Sequence, residues 1–287
     1  MNAEAVSNQA GVLYLVATPI GHLDDLTLRA RRVLAEVDRI LAEDTRHSRR
    51  LLAHHGIDTP LVPFHEHNED RRQARVIGWL EAGHSLALIS DAGTPLINDP
   101  GFPLVRECRR RGIRVVPVPG PSAVLAALSA SGLPTDRFCY QGFLPRQSAA
   151  RRRRLEALAG LPATLVFLES AHRIDGALAD LAEVLGEERP ACLAREITKR
   201  HEEFINGTLG ELAALVASDA DRRRGEFVVV VGPPSADESA GADADEARVL
   251  DVLLEELPLK QAVNLAARIL GGSRNQLYRR ALARRQG

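Results

Sequence analysis

Residues 87–101 read ALISDAGTPLINDPG, an apolar strand that runs directly into a long, turn-rich loop. We predict the strand at 86–90, and the loop after it holds two aspartates, two glycines and two prolines. Glycine lets the backbone approach a ligand closely, and proline lowers the entropy lost in holding a loop open. Since an ordinary turn needs none of this length, the segment predicts a ligand site at the carboxyl end of a strand.

Two other turn-rich segments border predicted strands. They are residues 18–27, TPIGHLDDLT, and residues 118–123, VPGPSA, which lead into a helix. Open α/β sheets bind ligands at the carboxyl edge of their strands, and the N-terminal amides of a helix can bind a carboxylate or phosphate. The plainer interpretations are a helix cap at Asp24 or Asp25 and a stiff hinge capped by Ser122.

Short apolar runs alternate with helical stretches on both sides of these segments. In residues 11–119 the alternation predicts a parallel sheet covered on both faces, with strands at 12–17, 39–41, 61–63, 86–90 and 114–117. Residues 120–232 hold a second set of predicted strands, at 138–142, 164–168, 191–195, 201–207 and 226–231. The fold class is therefore α/β, with two α/β domains joined near Gly120.

A third region follows the two domains. Residues 233–245 are rich in Pro, Ser, Ala, Asp and Gly, which predicts a flexible linker. Residues 246–287 are predicted to form a small C-terminal helical module, a tail with short helices at 248–257, 260–270 and 274–283.

Composition narrows the possible functions. The chain of 287 residues has a formal net charge of −1, which argues against non-specific coating of nucleic acid but not against local recognition of RNA. Its three cysteines are far apart, as is typical of a reduced cytosol. Residues 1–11 do not read as a signal peptide, and no apolar run is long enough to cross a bilayer. We expect a soluble, cytoplasmic protein that does not associate with membranes.

Several common site motifs are absent from the sequence. No G-x-G-x-x-G follows the first strand, and there is no G-x-x-x-x-G-K-[ST], no H-E-x-x-H and no Cys/His zinc spacing. We therefore expect neither a Rossmann oxidoreductase nor a P-loop enzyme, and no metal site.

Together the segments resemble the tetrapyrrole methylase superfamily, the class III S-adenosylmethionine (SAM)-dependent methyltransferases. The resemblance spans 11–232 and rests on LYLVATPIGHLDDLTLRA, ILAEDTRHSRRLL, ALISDAGTPLINDPG, VPVPGPSAVLAALSASGLPTDRFCYQGFLPR, VFLESAHRI and REITKRHEEFINGTL. It is closest to the branch that methylates the ribose 2′-hydroxyl of a cytidine in the decoding region of 16S ribosomal RNA (rRNA). One departure is Ala171, where the family usually has proline before His-Arg.

This resemblance implies a homodimer that binds SAM in the cleft between its two domains and acts on 16S rRNA within the 30S subunit. The SAM-binding residues that carry over by motif are Pro19, Asp91, Gly93, Thr94, Pro95, Ser122, Ala123 and Leu168.

Methyl transfer to a ribose hydroxyl needs an in-line nucleophile and benefits from a nearby base or cation. A dense polar cluster follows two strands of the second domain, and from it we predict the catalytic residues Glu169, His172, Arg173, Glu196, Lys199 and His201. Lys199 is one of the two lysines in the chain, and as a base it would need a pKa lowered by burial or by positive charge, for which Arg195 and Arg200 are near in sequence. The alternative interpretation is a solvated loop.

Arginine groups predict contacts with RNA phosphates, because the guanidinium fork matches phosphate geometry. The predicted RNA-binding residues are Arg46, Arg49, Arg146, Arg151, Arg154, Arg279 and Arg280. A solvated helix face is the alternative for the run at 151–154. Base stacking would rest on Phe64, Tyr140, Phe143 or Phe204.

Two other functions stay open from the sequence. The same fold could methylate a tetrapyrrole or another small molecule, although such an enzyme does not need the arginine groups or the basic tail. A non-catalytic RNA-binding protein of ribosome assembly, using the tail as a helix-turn-helix, is the alternative from another class. Binding of SAM separates the enzymes from the assembly protein.

Overall fold

The computed structural model describes residues 10–66, 68–235, 248–270 and 274–285. Its first domain contains a five-stranded parallel sheet with the order β3-β2-β4-β1-β5. The strands are β1 Val12–Val16, β2 Arg39–Ala42, β3 Leu61–Pro63, β4 Leu86–Ile89 and β5 Arg114–Val118. Its helices are α1 Leu28–Glu36, α2 Thr45–His54, α3 Glu69–Glu81 and α4 Phe102–Arg110. The predicted parallel sheet is thereby confirmed.

Alternation along the strands explains why helices cover both faces of this sheet. Val16 and Ile40 pack into a core on one face, together with α1 and the apolar side of α2. Leu13 and Leu41 point to the other face and pack with α3 and α4. The central strand β4 is buried at each of its residues, as expected for a parallel strand covered on both sides.

The second domain has a mixed five-stranded sheet with the order β6-β7-β10-β8-β9. Strands β6 and β7 are parallel, and the other neighbouring pairs are antiparallel. The strands are β6 Phe138–Phe143, β7 Thr164–Ser170, β8 Pro190–Arg195, β9 Glu203–Thr208 and β10 Glu226–Val231. The helices are α5 Ala123–Ala130, α6 Ser148–Glu156, α7 Ile174–Leu185 and α8 Leu209–Ser218. One face packs on α6, α7 and α8, and the other packs on α5 and on Ile20 of the first domain.

Two of these helices, α2 and α8, are marked by capping side chains at their first turn. Helix α2 begins where the Asp44 carboxylate accepts hydrogen bonds from the amides of Arg46 and His47, at 2.7 and 3.3 Å. Helix α8 begins with a reciprocal capping box between Thr208 and Glu211. Both helices follow directly on a strand, and their caps are short-range signals that the apolar pattern alone does not reveal.

The C-terminal module has its own small core. Residues 248–256 are helical (α9), and they are followed by α10 Leu259–Leu270 and α11 Arg274–Arg285. The module closes over Leu250, Val263, Ala266, Leu277 and Ala281. Most of the predicted linker, and the two glycines between the last helices, lie outside the described residues.

Candidate active site in the cleft between the domains

A cavity of about 410 Å³ lies between the two domains, at the carboxyl edge of the first sheet. The first domain contributes the turn after β1 and the loop after β4, and the second contributes the start of α5 and the inner face of its sheet. The lining residues are Ile20, Asp91, Ala92, Gly93, Thr94, Ile97, Asn98, Asp99, Ser122, Ala123, Val124, Tyr140, Phe143, Leu168, Glu169, Ser170, Ile197, Glu226, Phe227 and Val228.

Hydrogen bonds hold together the three turn-rich segments singled out in the sequence. The amides and carbonyls of Thr18 and Gly93 form two mutual hydrogen bonds of 2.9 Å, and the Thr18 hydroxyl donates to the Ser90 carbonyl at 3.1 Å. The Thr94 hydroxyl donates to the carbonyl of Pro121 at 3.1 Å. The turn after β1, the loop after β4 and the hinge therefore form one connected rim of the cavity.

Most of the predicted SAM-binding residues are brought together here. Asp91, Gly93, Thr94, Ser122, Ala123 and Leu168 line the cavity. Pro19 and Pro95 are buried and lie outside the lining, where they can shape the loops on either side. Asn98 and Asp99 of the turn-rich loop after β4 also line the cavity, although they were not among the predicted SAM-binding residues. Tyr140 and Ile197 of the second domain also line the cavity. Tyr140 was considered only as a base-stacking residue, and no local sequence pattern indicates Ile197.

Backbone strain concentrates in the two loops that border the cavity. Among the described residues, left-handed conformations at non-glycine positions occur at Leu96 (φ 73°), Asn98 (φ 70°), Glu196 (φ 51°) and Thr198 (φ 64°). Such conformations cost roughly 1–3 kcal/mol each and persist where surrounding contacts determine them, as they often do at functional sites.

The loop at 196–202 contacts the first domain through a glycine. The amide of His22 donates to the hydroxyl of Thr198 at 3.0 Å. A Cβ atom on Gly21 would lie 2.6 Å from both Lys199 Cγ and Thr198 Oγ1, closer than real Cβ atoms approach other atoms. The close approach of the two domains on this side of the cleft therefore requires glycine at position 21.

Lys199 forms ion pairs with two carboxylates, and its pKa is not lowered as a role of general base would require. Burial alone would lower the pKa of Lys199, but its ammonium donates to Glu226 and Glu196, both at 2.9 Å, and the net effect raises the pKa. Arg195 donates instead to the carbonyls of Arg224 and Asp221, at 2.6 and 2.9 Å. The raised pKa argues against Lys199 as a general base, and its ion pair with Glu196 braces the loop beside the cavity.

Glu169 is a buried carboxylate near the end of β7, and its two oxygens differ in their contacts. Its Oε1 accepts from the amide of Ser170 at 2.9 Å and lies 3.2 Å from Nε of Arg173. Its Oε2 has no hydrogen-bond partner, and the residue is 3% exposed and lines the cavity. Burial raises the pKa of Glu169 in spite of the nearby Arg173. A carboxylate held in this way can act as a proton acceptor.

A second, half-buried acid lies on the loop after β4. Burial, reinforced by the charges of Glu43 and Asp91, raises the pKa of Asp99 to about 6 against a hydrogen bond from Ser90. The hydroxyl of Tyr140 has no hydrogen-bond partner, and burial together with Asp99 raises the pKa of Tyr140 to about 12.

The predicted catalytic cluster is divided in the structure. Glu169 lines the cavity, whereas Arg173 supports it and also donates to the carbonyl of Leu144. His172 and His201 are exposed and lie outside the cavity lining.

The predicted RNA-binding arginines likewise have different environments. Arg46, Arg49, Arg146, Arg154 and Arg279 are exposed, and the side chain of Arg280 lies outside the described residues. Arg151 does not fit the prediction: it is 6% exposed, and it forms an ion pair with Asp180 at 2.6 Å and donates to the carbonyl of Gly176. Its role is to join α6 to α7. Phe64 is fully buried, so it cannot stack on a base.

The described residues contain no cluster of histidine, cysteine or acidic residues that could hold a metal ion. None of the helices within them combines the length and the apolar composition needed to span a membrane.

Family models match both parts of the chain. The family described as Tetrapyrrole (Corrin/Porphyrin) Methylases matches residues 12–213, and the family described as RsmI C-terminal HTH domain matches residues 240–285. Two α/β domains with a ligand cleft at the strand ends therefore define a methyltransferase of the tetrapyrrole methylase type.

Relatives narrow this class further. A protein of Pseudomonas aeruginosa named Ribosomal RNA small subunit methyltransferase I is 56% identical over 278 residues, covering 96% of this chain and 98% of the relative. One of the same name from Escherichia coli O157:H7 is 52% identical over 279 residues, covering 97% of each chain. The chain belongs to the tetrapyrrole methylase family and, within it, to the ribosomal RNA small subunit methyltransferase I group of SAM-dependent methyltransferases.

Solved structures agree on the fold. Uroporphyrin-III-C-methyltransferase from Thermus thermophilus superposes with a TM-score of 0.54 at 27% identity, over 77% of this chain and 94% of that one. A Thermus thermophilus uroporphyrin-III C-methyltransferase complexed with S-adenyl homocysteine gives a TM-score of 0.56 at 22% identity, over 77% of this chain and 97% of that one. The predicted fold class and family are thus confirmed.

Proposed function

We propose that this chain transfers the methyl group of SAM to the ribose 2′-hydroxyl of a cytidine in 16S rRNA of the 30S subunit. The main support for the proposal is the negative charge of the cleft. Four carboxylates line it, those of Asp91, Asp99, Glu169 and Glu226, and the lining residues include no lysine, arginine or histidine. Such a site favours a cationic ligand, and SAM carries both a sulfonium and an ammonium group.

The shape of the cleft also suits SAM. Its volume of about 410 Å³ lies in the range of about 300–1,000 Å³ that is typical of small-ligand sites. Ile20, Leu168, Ile197 and Val228 offer an apolar surface for the adenine ring. Gly93 lets the backbone approach the ligand, and Tyr140 keeps a hydroxyl free for it.

SAM supplies an electrophilic methyl group, and the protein has to place the hydroxyl and remove its proton. We assign the proton to Glu169, because the residue lines the cavity and its buried Oε2 has no hydrogen-bond partner. In the step, the O–H bond breaks towards this carboxylate as the bond from oxygen to methyl carbon forms and the bond from carbon to sulfur breaks. The guanidinium of Arg173, with Nε 3.2 Å from Oε1 of Glu169, orients the carboxylate.

Names of relatives and surface charge support RNA as the substrate rather than a tetrapyrrole. The relatives at about half identity carry the name of a small-subunit rRNA methyltransferase. Arg46 and Arg49 on α2 are exposed next to the edge of the sheet that holds the cleft. Phe143, 52% exposed at the rim, is placed to stack on a base of the substrate strand. We further propose a homodimer and a cytoplasmic location, where 30S subunits are available.

The decisive experiment is transfer of a labelled methyl group. The full chain is incubated with methyl-labelled SAM and either 30S subunits or protein-free 16S rRNA, and the label is mapped to a nucleotide. We expect one labelled cytidine whose 3′ phosphodiester resists alkali, because the 2′-hydroxyl is blocked. Label on a base, or unlabelled RNA together with labelled uroporphyrinogen in a parallel reaction, would refute the proposal.

A further inference from the structure

A basic groove lies on the first domain, outside the cleft. It has a volume of about 510 Å³ and is lined by His65, Asn68, Arg71, Arg72 and Arg75. We call it the α3 groove. Its residues come from the turn after β3 and the first two turns of α3, and none of them belongs to the cavity between the domains.

The arginines of the α3 groove are available to a partner. Arg71 and Arg75 are exposed and Arg72 is half-buried, and no carboxylate of the described residues forms an ion pair with any of the three. By contrast, Arg110, Arg111 and Arg152 elsewhere on the surface are paired with acidic side chains. An unpaired group of three guanidinium ions in one concavity favours a ligand with several negative charges.

The floor of the groove is organised by local contacts. Asn68 donates to His65 Nε2 at 2.7 Å and accepts from the His65 amide at 3.1 Å. The Arg75 guanidinium lies 4.8 Å from the centre of the Trp79 ring, whose stacking limits its rotamers. Preorganised donors lose less entropy on binding than freely rotating ones.

The position of the groove relates it to the cleft. Strand β3 is the edge strand beside β2, so the start of α3 lies at the same edge of the sheet as the cavity. A short path joins the two: the Asp44 amide, directly after β2, donates to Asp91 of the cavity at 3.1 Å, and Arg46 follows in the first turn of α2. A polyanion that leaves the cleft along this edge meets Arg46 first and then the α3 groove.

We infer that the α3 groove binds the phosphate backbone of the RNA that flanks the methylated nucleotide. This inference rests on the proposed function. It adds the arginines of the α3 groove to Arg46 and Arg49, the phosphate contacts that the sequence predicted for the first domain. The phosphate backbone dominates the affinity of such interfaces, and each contact contributes to the salt dependence of binding.

The test uses the full chain and a charge-matched pair of variants. Arg71→Gln/Arg72→Gln removes two charges from the groove and leaves the Arg75–Trp79 contact intact. Arg109→Gln/Arg114→Gln removes two exposed, unpaired charges at the opposite edge of the same sheet. Binding to protein-free 16S rRNA and to 30S subunits is measured over a salt series, and SAM affinity is measured in parallel.

We expect the groove variant to bind protein-free 16S rRNA more weakly, with a slope of log K against log salt that is smaller by about 1 for each lost phosphate contact. The edge variant and the SAM affinity should be unchanged. Equal slopes for the two variants would overturn the inference. A loss of affinity confined to 30S subunits would also overturn it, because that result would indicate a ribosomal protein as the partner. Failure of wild-type protein to methylate rRNA is a separate result that refutes the proposed function.

Discussion

The ammonium nitrogen of Lys199 lies 2.9 Å from Oε1 of Glu196, and this pair closes a loop whose backbone is left-handed at both Glu196 and Thr198. The same Glu196 oxygen also accepts from the amide of Glu226 at 2.9 Å. Between the two strained residues lies Ile197, which is buried and lines the cleft. Lys199 therefore acts on the site through the loop, as a positioning residue.

Replacing Lys199 should consequently affect SAM binding as well as turnover. In Lys199→Met the Glu196 carboxylate loses its cation and the loop relaxes, so we expect SAM affinity to fall about tenfold, equivalent to about 1.4 kcal/mol. Lys199→Arg keeps the positive charge and should therefore retain most of the wild-type SAM affinity. Isothermal titration with SAM provides the measurement.

The pH dependence separates this role from that of a base. Because the pKa of Lys199 is raised above 10.5, the side chain is protonated throughout the neutral range. In plots of rate against pH, wild type and Lys199→Met should therefore show the same ionisation steps near neutral pH. If Lys199→Met lost one of these ionisation steps and kept its SAM affinity, Lys199 would instead be the base.

Glu169→Gln should abolish transfer while stabilising the SAM-free protein at neutral pH. Glu169 has a raised pKa, so the stability that it contributes is present at low pH and is lost as pH rises through its folded pKa. Glutamine does not titrate and keeps the shape. Its melting temperature should therefore exceed that of wild type at pH 7, with the difference shrinking in acid. Normal turnover of Glu169→Gln would show that Glu169 is not the proton acceptor.

Asp99 should make SAM binding depend on pH around 6. Burial and the charges of Glu43 and Asp91 raise its pKa to about 6, and the ionised form attracts a cationic ligand. SAM affinity should then drop by up to about tenfold from pH 7 to pH 5, as protonation removes that charge. Asp99→Asn should bind weakly with a flatter profile, which titration calorimetry at several pH values can detect. A wild-type profile without an inflection contradicts this role.

The sequence anticipated those parts of the fold that depend on local pattern. The strands of both domains and the loop at 91–99 were recognisable because apolar runs end in unusual turns. The cleft wall from the second domain was recognisable only in part. Leu168 and Glu169 were predicted at the end of a strand, whereas Ile197 was missed because it reaches the site through tertiary packing. Arg151 shows the same limit: the run at 151–154 looks uniformly basic, but a helix turns about 100° per residue and directs one of the four inward. Its partner Asp180 is 29 residues away.

Gly93 should be essential for SAM binding, and a matched variant can separate this effect from backbone strain. Gly93 has φ 81°, and an added Cβ would lie 3.5 Å from Ile20 Cγ2 at the rim of the cavity. Gly112 has φ 72° with no neighbour within 4 Å of such a Cβ. Gly93→Ala and Gly112→Ala should each lower the unfolding free energy by about 1–2 kcal/mol. We expect Gly93→Ala alone to lose the SAM-induced rise in melting temperature, and an equal rise in both would exclude Gly93 from the site.

The C-terminal module should be separable from the catalytic domains, provided that the cut is placed correctly. The amide of Gly232 donates to the carbonyl of Pro190 at 2.7 Å, and its own carbonyl accepts from buried Arg189 at 2.9 Å. Truncation after Gly232 would therefore leave these contacts at a free terminus, whereas truncation after Ser235 keeps them within the chain. The module packs on its own core around Leu250 and Leu277, so its removal exposes no core of the domains.

We expect the protein truncated after Ser235 to keep wild-type SAM affinity and to bind rRNA more weakly, because exposed Arg279 and its neighbours on α11 are lost. The deficit should be largest at low salt, where phosphate contacts contribute most to binding. Filter binding over a salt series and methylation of 30S subunits at limiting enzyme measure both properties. Full affinity and full rate in the truncated protein would assign the module another role, such as contact between protomers, which light scattering of the two proteins would reveal as a change in mass.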